Sequence, residues 1–130
     1  MRRVLHAPGA PVLELEASHG VVASGGLVSQ WTDQSANFNH LLAAGSERPA
    51  VGTAKTPTGE NAVSFDGVDD RLMRSLSDGI AGLPDGNSDR TMFFVAQFHY
   101  ADGWGGAAYG AGAPNNAFGL GVVASGANEG

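Results

Sequence analysis

Oxygen-bearing side chains are concentrated in three short stretches of this sequence, and calcium binding is the chemistry that they suggest. The stretch SFDGVDDRL at 64–72 carries Asp66, Asp69 and Asp70. Calcium takes six to eight oxygen ligands from carboxylates, amides and backbone carbonyls. The two other stretches supply Asp33, Asn37, Asn39, Asp85, Asn87 and Asp89. None of the three reproduces a known calcium loop, so Asp66, Asp69 and Asp70 are candidate ligands for calcium without a recognised motif.

A structural role is the alternative for the same aspartates, and it has a clear mechanism. An Asp or Asn side chain accepts hydrogen bonds from the backbone N–H two residues onward, and glycine admits a positive φ. Asp66 followed by Gly67 therefore predicts a tight turn. By the same reasoning Asp33, Asn37 and Asn39 are expected to brace a loop that presents Phe38. We favour the turn interpretation and leave calcium open.

Catalysis is not expected from this sequence. Glycoside hydrolysis needs two carboxyls about 5 to 10 Å apart, and the only acidic pair with strand spacing is Glu14 and Glu16, near the N-terminus. No Gly-x-Ser-x-Gly nucleophile motif is present. The four histidines are widely separated and none has a partner at i+4, as a helical zinc site requires. The chain has no cysteine, which excludes thiolate zinc sites and cysteine nucleophiles.

Sugar binding is the remaining site chemistry, because it needs an exposed aromatic plane with amide or carboxylate partners. Trp104 lies between glycines in a polar segment, and we expect it to stack on a sugar ring from a loop. Tyr109, Asn115 and Asn116 lie in the same glycine-rich region and complete the predicted ligand-binding set. An ordinary loop-anchoring role is the alternative for Trp104.

The charge balance argues against two classes of partner. The sequence has 13 acidic and 7 basic residues, a net charge of -6, and its basic residues are scattered apart from Arg2 and Arg3. Nucleic acids and anionic membrane surfaces are bound by clustered Lys and Arg. No apolar stretch reaches the 18 residues of a membrane span, and no signal peptide is visible before Pro8. We therefore expect no nucleic acid partner and no membrane insertion.

Short β-branched or aromatic runs bounded by turn residues predict an all-β protein with one domain over residues 1–130. The clearest predicted strand is TMFFVAQFHY at 91–100, where the apolar pattern fits a central strand. The segment 46–61 is predicted as a long surface connection with at most one short strand. Weaker strands are predicted at 11–15, 27–31, 62–65, 71–74 and 118–123, and VVASGG at 21–26 as a hairpin turn that leads into LVSQW.

Several motifs in this order resemble a known family. They are LEASHGVVASGGLVSQWTDQSANFNH, an Arg-Pro at 48–49, NAVSFDGVDDRL, RTMFFVAQF and NAFGLG. Together they resemble the laminin-G-like domains of the concanavalin A-like lectin and glucanase superfamily. The resemblance implies an antiparallel two-sheet jelly-roll sandwich, an extracellular or cell-surface location, and recognition or adhesion with a glycan as ligand.

The family pattern continues beyond the last motif found here, so we expect a partial domain with an exposed edge strand at 118–123. An unpaired edge with an apolar face invites pairing with another chain. The first expected function is non-catalytic glycan recognition. The alternative is a structural interaction domain, a homodimer or a pairing with another chain through the sheet edge. A glucanase is the third expectation, disfavoured by the missing carboxylate strand.

Overall fold

The computed structural model describes residues 9–74, 81–84, 86–98, 104–110 and 117–123. For Trp104, Ala117, Val122 and Val123 the description covers the backbone alone. Contacts group the chain into two compact units, Met1–Leu83 and Pro84–Gly130. Each unit is described by itself below, and the prediction of a single domain over 1–130 stays a prediction.

A tight hairpin begins the sheet of the first unit. Strand β1, Val21–Ser24, pairs antiparallel with β2, Leu27–Trp31. Gly25 and Gly26 connect them with φ values of 60° and 80°. Two successive positive φ angles suit the right-handed twist of paired strands and are accessible to glycine without strain. The predicted strand at 27–31 is therefore confirmed. Within the predicted hairpin turn at 21–26, the turn itself is Gly25 and Gly26, and the residues before it form β1.

Three further strands extend this sheet on the β2 side. They are β3, Leu41–Leu42, β4, Ala50–Lys55, and β5, Asn61–Ser64. The strand order is β1-β2-β4-β5, with β3 paired to β2 beyond the end of β4, and every pairing is antiparallel. The register of β4 against β5 shifts between Val51 and Lys55. The segment predicted as a connection with at most one short strand thus contains β4 in full.

The second unit is built on a two-stranded ribbon. Strand β6, Trp104–Gly110, pairs antiparallel with β7, Ala117–Val123, in an unbroken register from Trp104 opposite Val123 to Gly110 opposite Ala117. The strand predicted at 118–123 is confirmed as β7. Trp104, which we expected in a loop, is the first residue of β6, because its backbone pairs with Val123.

The most prominent strand of the sequence is not formed. Residues 91–98 have no regular secondary structure, and 99–100 lie outside the described residues. A strand exists only when a neighbour supplies backbone hydrogen bonds, and no described residue does so here. The strand predicted at 11–15 is also absent, and the one at 71–74 is reduced to an isolated bridge between Met73 and Leu42.

The described residues are all-β, with antiparallel sheets that are consistent with a β-sandwich. The one helical element in this part of the chain is a short 3-10 helix, Gly45–Glu47. Within the described ranges no helix is long and apolar enough to cross a membrane.

The buried centre of the first unit is mostly polar. Val28 and Pro49 are the only apolar residues that are buried among the described residues. Asp33, Ser35 and Asn39, which belong to the loop after β2, are also buried. Because buried polar groups must find hydrogen-bond partners, the stability of this unit depends on how that loop satisfies them.

Candidate functional site

A shallow open groove of about 490 Å³ lies on the first unit. Its apolar lining consists of alanine, valine and glycine residues: Ala17, Gly20, Val21, Ala23, Val51 and Gly59. Three elements contribute polar groups: Ser18 from the segment before β1, Lys55 from the end of β4, and Glu60 and Asn61 from the turn into β5. The volume falls in the range of small-ligand sites in proteins.

The polar groups of the groove are held by local hydrogen bonds. The Lys55 ammonium donates a hydrogen bond to Oδ1 of Asn61. These two residues are the last pair of β4 and β5 before the turn that connects the strands. The Thr56 hydroxyl accepts the Glu60 N–H at 3.1 Å, and the Ser18 hydroxyl donates to Oε1 of Glu16 at 2.8 Å. An ammonium carries three donors and a carboxamide carries two. Lys55 and Asn61 therefore keep donors, and Glu60 keeps carboxylate acceptors, for a ligand with several hydroxyls.

The irregular register of β4 creates the room for this groove. Val51 pairs with Val63, but Lys55 pairs with Asn61, so three residues of β4 face a single residue of β5. Gly52 within that bulge has φ 92°, which glycine adopts readily. A bulge bends its strand and re-aims the side chains around it. Here the bulge lies between Val51 and Lys55, which both line the groove.

Sequence reasoning missed this groove. Lys55, Glu60 and Asn61 fall in a segment that we interpreted as a surface connection. One signal was available, because Lys55 is the only lysine of the chain and stands six residues before Asn61, across a turn rich in Thr, Pro and Gly. That arrangement is typical of a short hairpin that brings the two side chains together.

The structure brings Asp66, Asp69 and Asp70 together, with one carboxylate oxygen of each within 4.8 Å of the others. Oδ1 of Asp66 accepts the N–H of Val68 at 2.8 Å, and Oδ2 of Asp70 accepts the N–H of Asp66 at 2.8 Å. Oδ2 of Asp69 accepts the Ser46 hydroxyl at 2.7 Å. Gly67 has φ 78°. These bonds build a turn, and they leave one oxygen of each carboxylate uncommitted to this network.

The electrostatics of the cluster differ between two of its members. The Val68 N–H, with weaker help from Asp69 and Asp70, holds the pKa of Asp66 below its ordinary value. Burial raises the pKa of Asp70, and the negative charges of Asp66 and Asp69 raise it further. Charge repulsion of this kind is what a cation would relieve, but exposed acidic turns exist without one, and the cluster remains a candidate for calcium.

The Asp33 carboxylate organises the loop between β2 and β3. Its Oδ1 accepts the N–H groups of Glu14 at 2.8 Å and Ser35 at 2.9 Å. Its Oδ2 accepts the Ser35 hydroxyl at 2.6 Å and the Asn39 N–H at 2.8 Å. Burial alone would raise the pKa of Asp33, but the Ser35 hydroxyl and the three backbone donors outweigh it and lower that pKa. All four lone-pair positions are used, so Asp33 is a structural group.

Asn39 ties the same loop to two distant segments. Its amide donates to the carbonyls of Val12 and Ala81, both at 3.0 Å, and its Oδ1 accepts the Ala81 N–H at 2.9 Å. The Asn37 amide also donates to Val12, at 3.2 Å. The loop presents Phe38, as predicted, with 67% of its surface exposed. Phe38 adopts φ 55°, a conformation that bulky residues rarely occupy.

The residues predicted to bind a sugar are only partly described. Asn115, Asn116 and the Trp104 side chain lie outside the described part. The Tyr109 hydroxyl accepts a hydrogen bond from Arg90 at 3.1 Å, and its ring packs on Phe118 with centroids 5.8 Å apart. The Arg90 guanidinium lies 5.9 Å and 5.5 Å from the Tyr109 and Phe118 ring centres. Tyr109 thus anchors Arg90 to the β6–β7 ribbon.

The other groups considered for catalysis are not assembled into a reactive site. Glu14 is exposed, whereas Glu16 accepts the Ser18 hydroxyl and lies 3.3 Å from His19 Nδ1. The Asp33 N–H donates to His40 Nδ1 at 3.1 Å, which assigns that nitrogen an acceptor role. Arg71 pairs with Glu47. Ser18 Oγ lies 3.1 Å from His19 Nδ1, but the hydroxyl donates its hydrogen bond to Glu16 Oε1, so its proton is not directed at the imidazole as activation by a base requires.

Comparison with known proteins adds no assignment. No protein-family model, no curated protein and no solved structure matches this chain. The resemblance to laminin-G-like domains therefore rests on the sequence motifs alone.

Proposed function

We propose that this chain is a non-catalytic recognition module that binds a glycan in the groove of its first unit. The observation that carries the proposal is the composition of that groove. It is open, its apolar lining consists of alanine, valine and glycine residues, and its polar groups are an ammonium, a carboxylate, an amide and a hydroxyl. A saccharide offers many hydroxyls, each able to donate and accept, and such a mixed set matches them.

Recognition fits this groove better than hydrolysis. A glycosidase places two carboxyls on either side of the scissile bond. Among the residues that line the groove, Glu60 is the only carboxylate. A single carboxylate orients a sugar by accepting hydrogen bonds but does not supply both the acid and the base. The resemblance to laminin-G-like domains supports the same function, together with the jelly-roll topology and an extracellular or cell-surface location.

Trp104 is a second candidate residue for contact with a glycan. Its backbone begins β6, in the second unit, and its indole is the aromatic plane that the groove itself does not provide. A glycan that required Trp104 and not the groove would place recognition on the second unit, with Asn115 and Asn116 as its amide partners.

A glycan array probed with the full chain and three variants tests the proposal. We expect Glu60→Gln and Lys55→Met to weaken binding at least tenfold, because each removes a charged hydrogen-bonding group from the groove. Glu14→Gln is the matched control, since it removes an exposed carboxylate outside the groove. Binding that survives both groove variants and disappears in Trp104→Ala would move the site to the second unit. The absence of any glycan signal from the folded chain would overturn the proposal.

A structural interaction domain is the second candidate function, and one observation favours it. In the described part of the second unit, β6 and β7 pair only with each other. A two-stranded ribbon is marginally stable in water until a further strand or layer covers it. Pairing with a strand from another chain supplies that cover, and sedimentation equilibrium of the full chain measures it. A strictly monomeric chain at every concentration would remove this candidate and leave glycan recognition untouched.

A further inference from the structure

The apolar segment 91–98 of the second unit has no backbone partner among the described residues. No backbone hydrogen bond joins residues 91–98 to any other described residue. Val95 exposes 94% of its surface and Phe93 exposes 56%, while Phe94 and Phe98 are also exposed. A row of unpaired N–H and C=O groups on an apolar segment is a template for pairing with another strand.

We propose that this segment pairs antiparallel with the same segment of a second copy of the chain, with Val95 of each copy opposite the other. The inference rests on the second candidate function and identifies both the segment and the partner. We prefer it to the edge at 118–123, where we expected pairing, because β7 already has β6 on one of its edges, whereas residues 91–98 have no backbone partner among the described residues on either edge.

The sequence of the segment favours an identical copy as its partner. TMFFVAQF contains no charged residue, no proline and no glycine. Uncharged segments of this length with high β-propensity pair readily with copies of themselves. With Val95 on the two-fold axis, Phe94 faces Ala96 and Met92 faces Phe98, so apolar groups meet on that face. On the other face Phe93 lies opposite the uncharged Gln97. No like charges are opposed within the segment, although each copy carries a net charge of -6.

The exposed area predicts how tight the contact is. Exposed aromatic and valine side chains of this segment present about 400 Å² per copy, given that aromatic residues bury roughly 150–250 Å² each. Two copies then bury about 800 Å², which is below the size of a stable interface and matches a weak, reversible one. The dimer is therefore concentration-dependent.

Pairing changes the conformation of the segment. Residues 91–98 have no regular secondary structure in the single chain. The segment becomes a β-strand when a partner strand provides backbone hydrogen bonds. Strand content measured by infrared spectroscopy increases together with the dimer fraction.

Cysteine cross-linking tests the register directly, because the chain contains no cysteine of its own. We expect Val95→Cys to form a disulfide-linked dimer under mild oxidation, since directly opposite residues of antiparallel strands bring their Cβ atoms within about 5.5 Å. Val68→Cys is the matched control, with 86% of its valine surface exposed in the turn after Asp66, and it stays monomeric.

A charge-reversal pair provides the second measurement. Val95→Lys opposes two like charges and weakens dimerisation roughly tenfold in sedimentation equilibrium, whereas Val68→Lys leaves it unchanged. Mixing Val95→Lys with Val95→Glu restores the dimer through the opposite charges. If the wild-type chain dimerises but Val95→Cys does not cross-link, the dimer forms through another segment. This inference is then overturned, and the second candidate function is retained. If the wild-type chain is monomeric throughout, both are overturned.

Discussion

The backbone N–H of Asn39 donates to Oδ2 of Asp33 at 2.8 Å, and both residues are buried in the first unit. Through this bond the Asp33 carboxylate, in the loop after β2, positions the residue whose side-chain amide donates to Val12 and Ala81. One loop therefore joins segments that are 27 and 42 residues from Asn39 in the sequence. Because Val28 and Pro49 are the only apolar residues buried among the described residues, we assign the stability of this unit largely to the Asp33 network.

Asp33→Asn is expected to destabilise the first unit by about 2–4 kcal/mol at neutral pH, because an amide leaves at least one of the four donors around Asp33 without an acceptor. Hydrogen exchange at the Val28 amide, which donates to Pro49 at 2.8 Å, reports the change. Asp89→Asn, which removes an exposed carboxylate from the second unit, is the control. Unchanged protection of Val28 in Asp33→Asn would contradict the assignment.

The same carboxyl gives the wild-type chain a defined acid response. The pKa of Asp33 is lowered in the folded state, and an unfolded Asp titrates near pH 3.9. The stabilisation is therefore complete above about pH 4 and is lost as the pH falls through the lower, folded pKa. Protection of Val28 falls over that window in the wild-type chain and falls less in Asp33→Asn. Equal pH profiles for the two chains would show that another group controls acid unfolding.

Phe38 is a position where a substitution is expected to stabilise the fold. Its φ of 55° costs a non-glycine residue about 1–2 kcal/mol, and its ring is mostly exposed. Phe38→Gly relieves that cost but adds flexibility to the unfolded chain, so the net gain is about 0.5–1 kcal/mol. The reverse change is available at Gly45, with φ 60° and open space around it, where Gly45→Ala costs about 1 kcal/mol. Thermal melting of both variants measures the two changes in stability. A lower melting temperature for Phe38→Gly than for the wild-type chain would show that the backbone at Phe38 is not strained.

For Asp70, in the turn that begins at Asp66, we expect pH to change the stability in the direction opposite to that expected for Asp33. Burial, together with the charges of Asp66 and Asp69, raises the pKa of Asp70 in the folded state. An acid whose pKa is raised by folding disfavours the folded state above that pKa, and the penalty disappears as it protonates. Asp70→Asn therefore melts slightly higher than the wild-type chain at neutral pH, and the difference vanishes below about pH 4.

Calcium distinguishes the two roles considered for this cluster. If Asp66, Asp69 and Asp70 hold the ion, added calcium raises the melting temperature of the wild-type chain and has little effect on Asp70→Asn. If they only build the turn, calcium and chelator leave both chains unchanged. We expect the second result, because the turn accounts for one oxygen of each carboxylate. A calcium-dependent shift in the wild-type chain alone would assign the metal site.

The sequence predicted best the features that depend on a few neighbouring residues. The hairpin at 21–31 depends on Gly25 and Gly26, and the loop around Asp33 depends on side chains within six residues of it. Strands that depend on a distant partner were predicted poorly. Residues 91–98 have the pattern of a central strand, but no described residue pairs with them. In β4 a glycine and a threonine interrupt the apolar pattern, and the strand still forms because Ala50 pairs with Ser64 and Val51 pairs with Val63.

The groove was unpredictable for a related reason. Lys55 and Asn61 converge because the β4–β5 register shifts between Val51 and Lys55, and the hydrophobic pattern of a single strand does not specify such a shift. The all-β class follows from the sequence. The jelly-roll topology is a property of strand order over the whole chain, and for this protein it stays a prediction.

The two glycines that begin the β6 ladder after Trp104 provide a matched test of close backbone packing. A Cβ at Gly106 would lie 2.2 Å from the Leu120 carbonyl oxygen, so the β7 backbone would have to move. A Cβ at Gly105 would meet only the Phe98 ring, at 3.4 Å, where a side chain yields by a small shift. We expect Gly106→Ala to cost more than about 2 kcal/mol and to abolish protection of the β7 amides, while Gly105→Ala costs less than about 1 kcal/mol. Hydrogen exchange at Leu120 and Gly121 measures both, and equal effects would show that β6 and β7 do not approach this closely at Gly106.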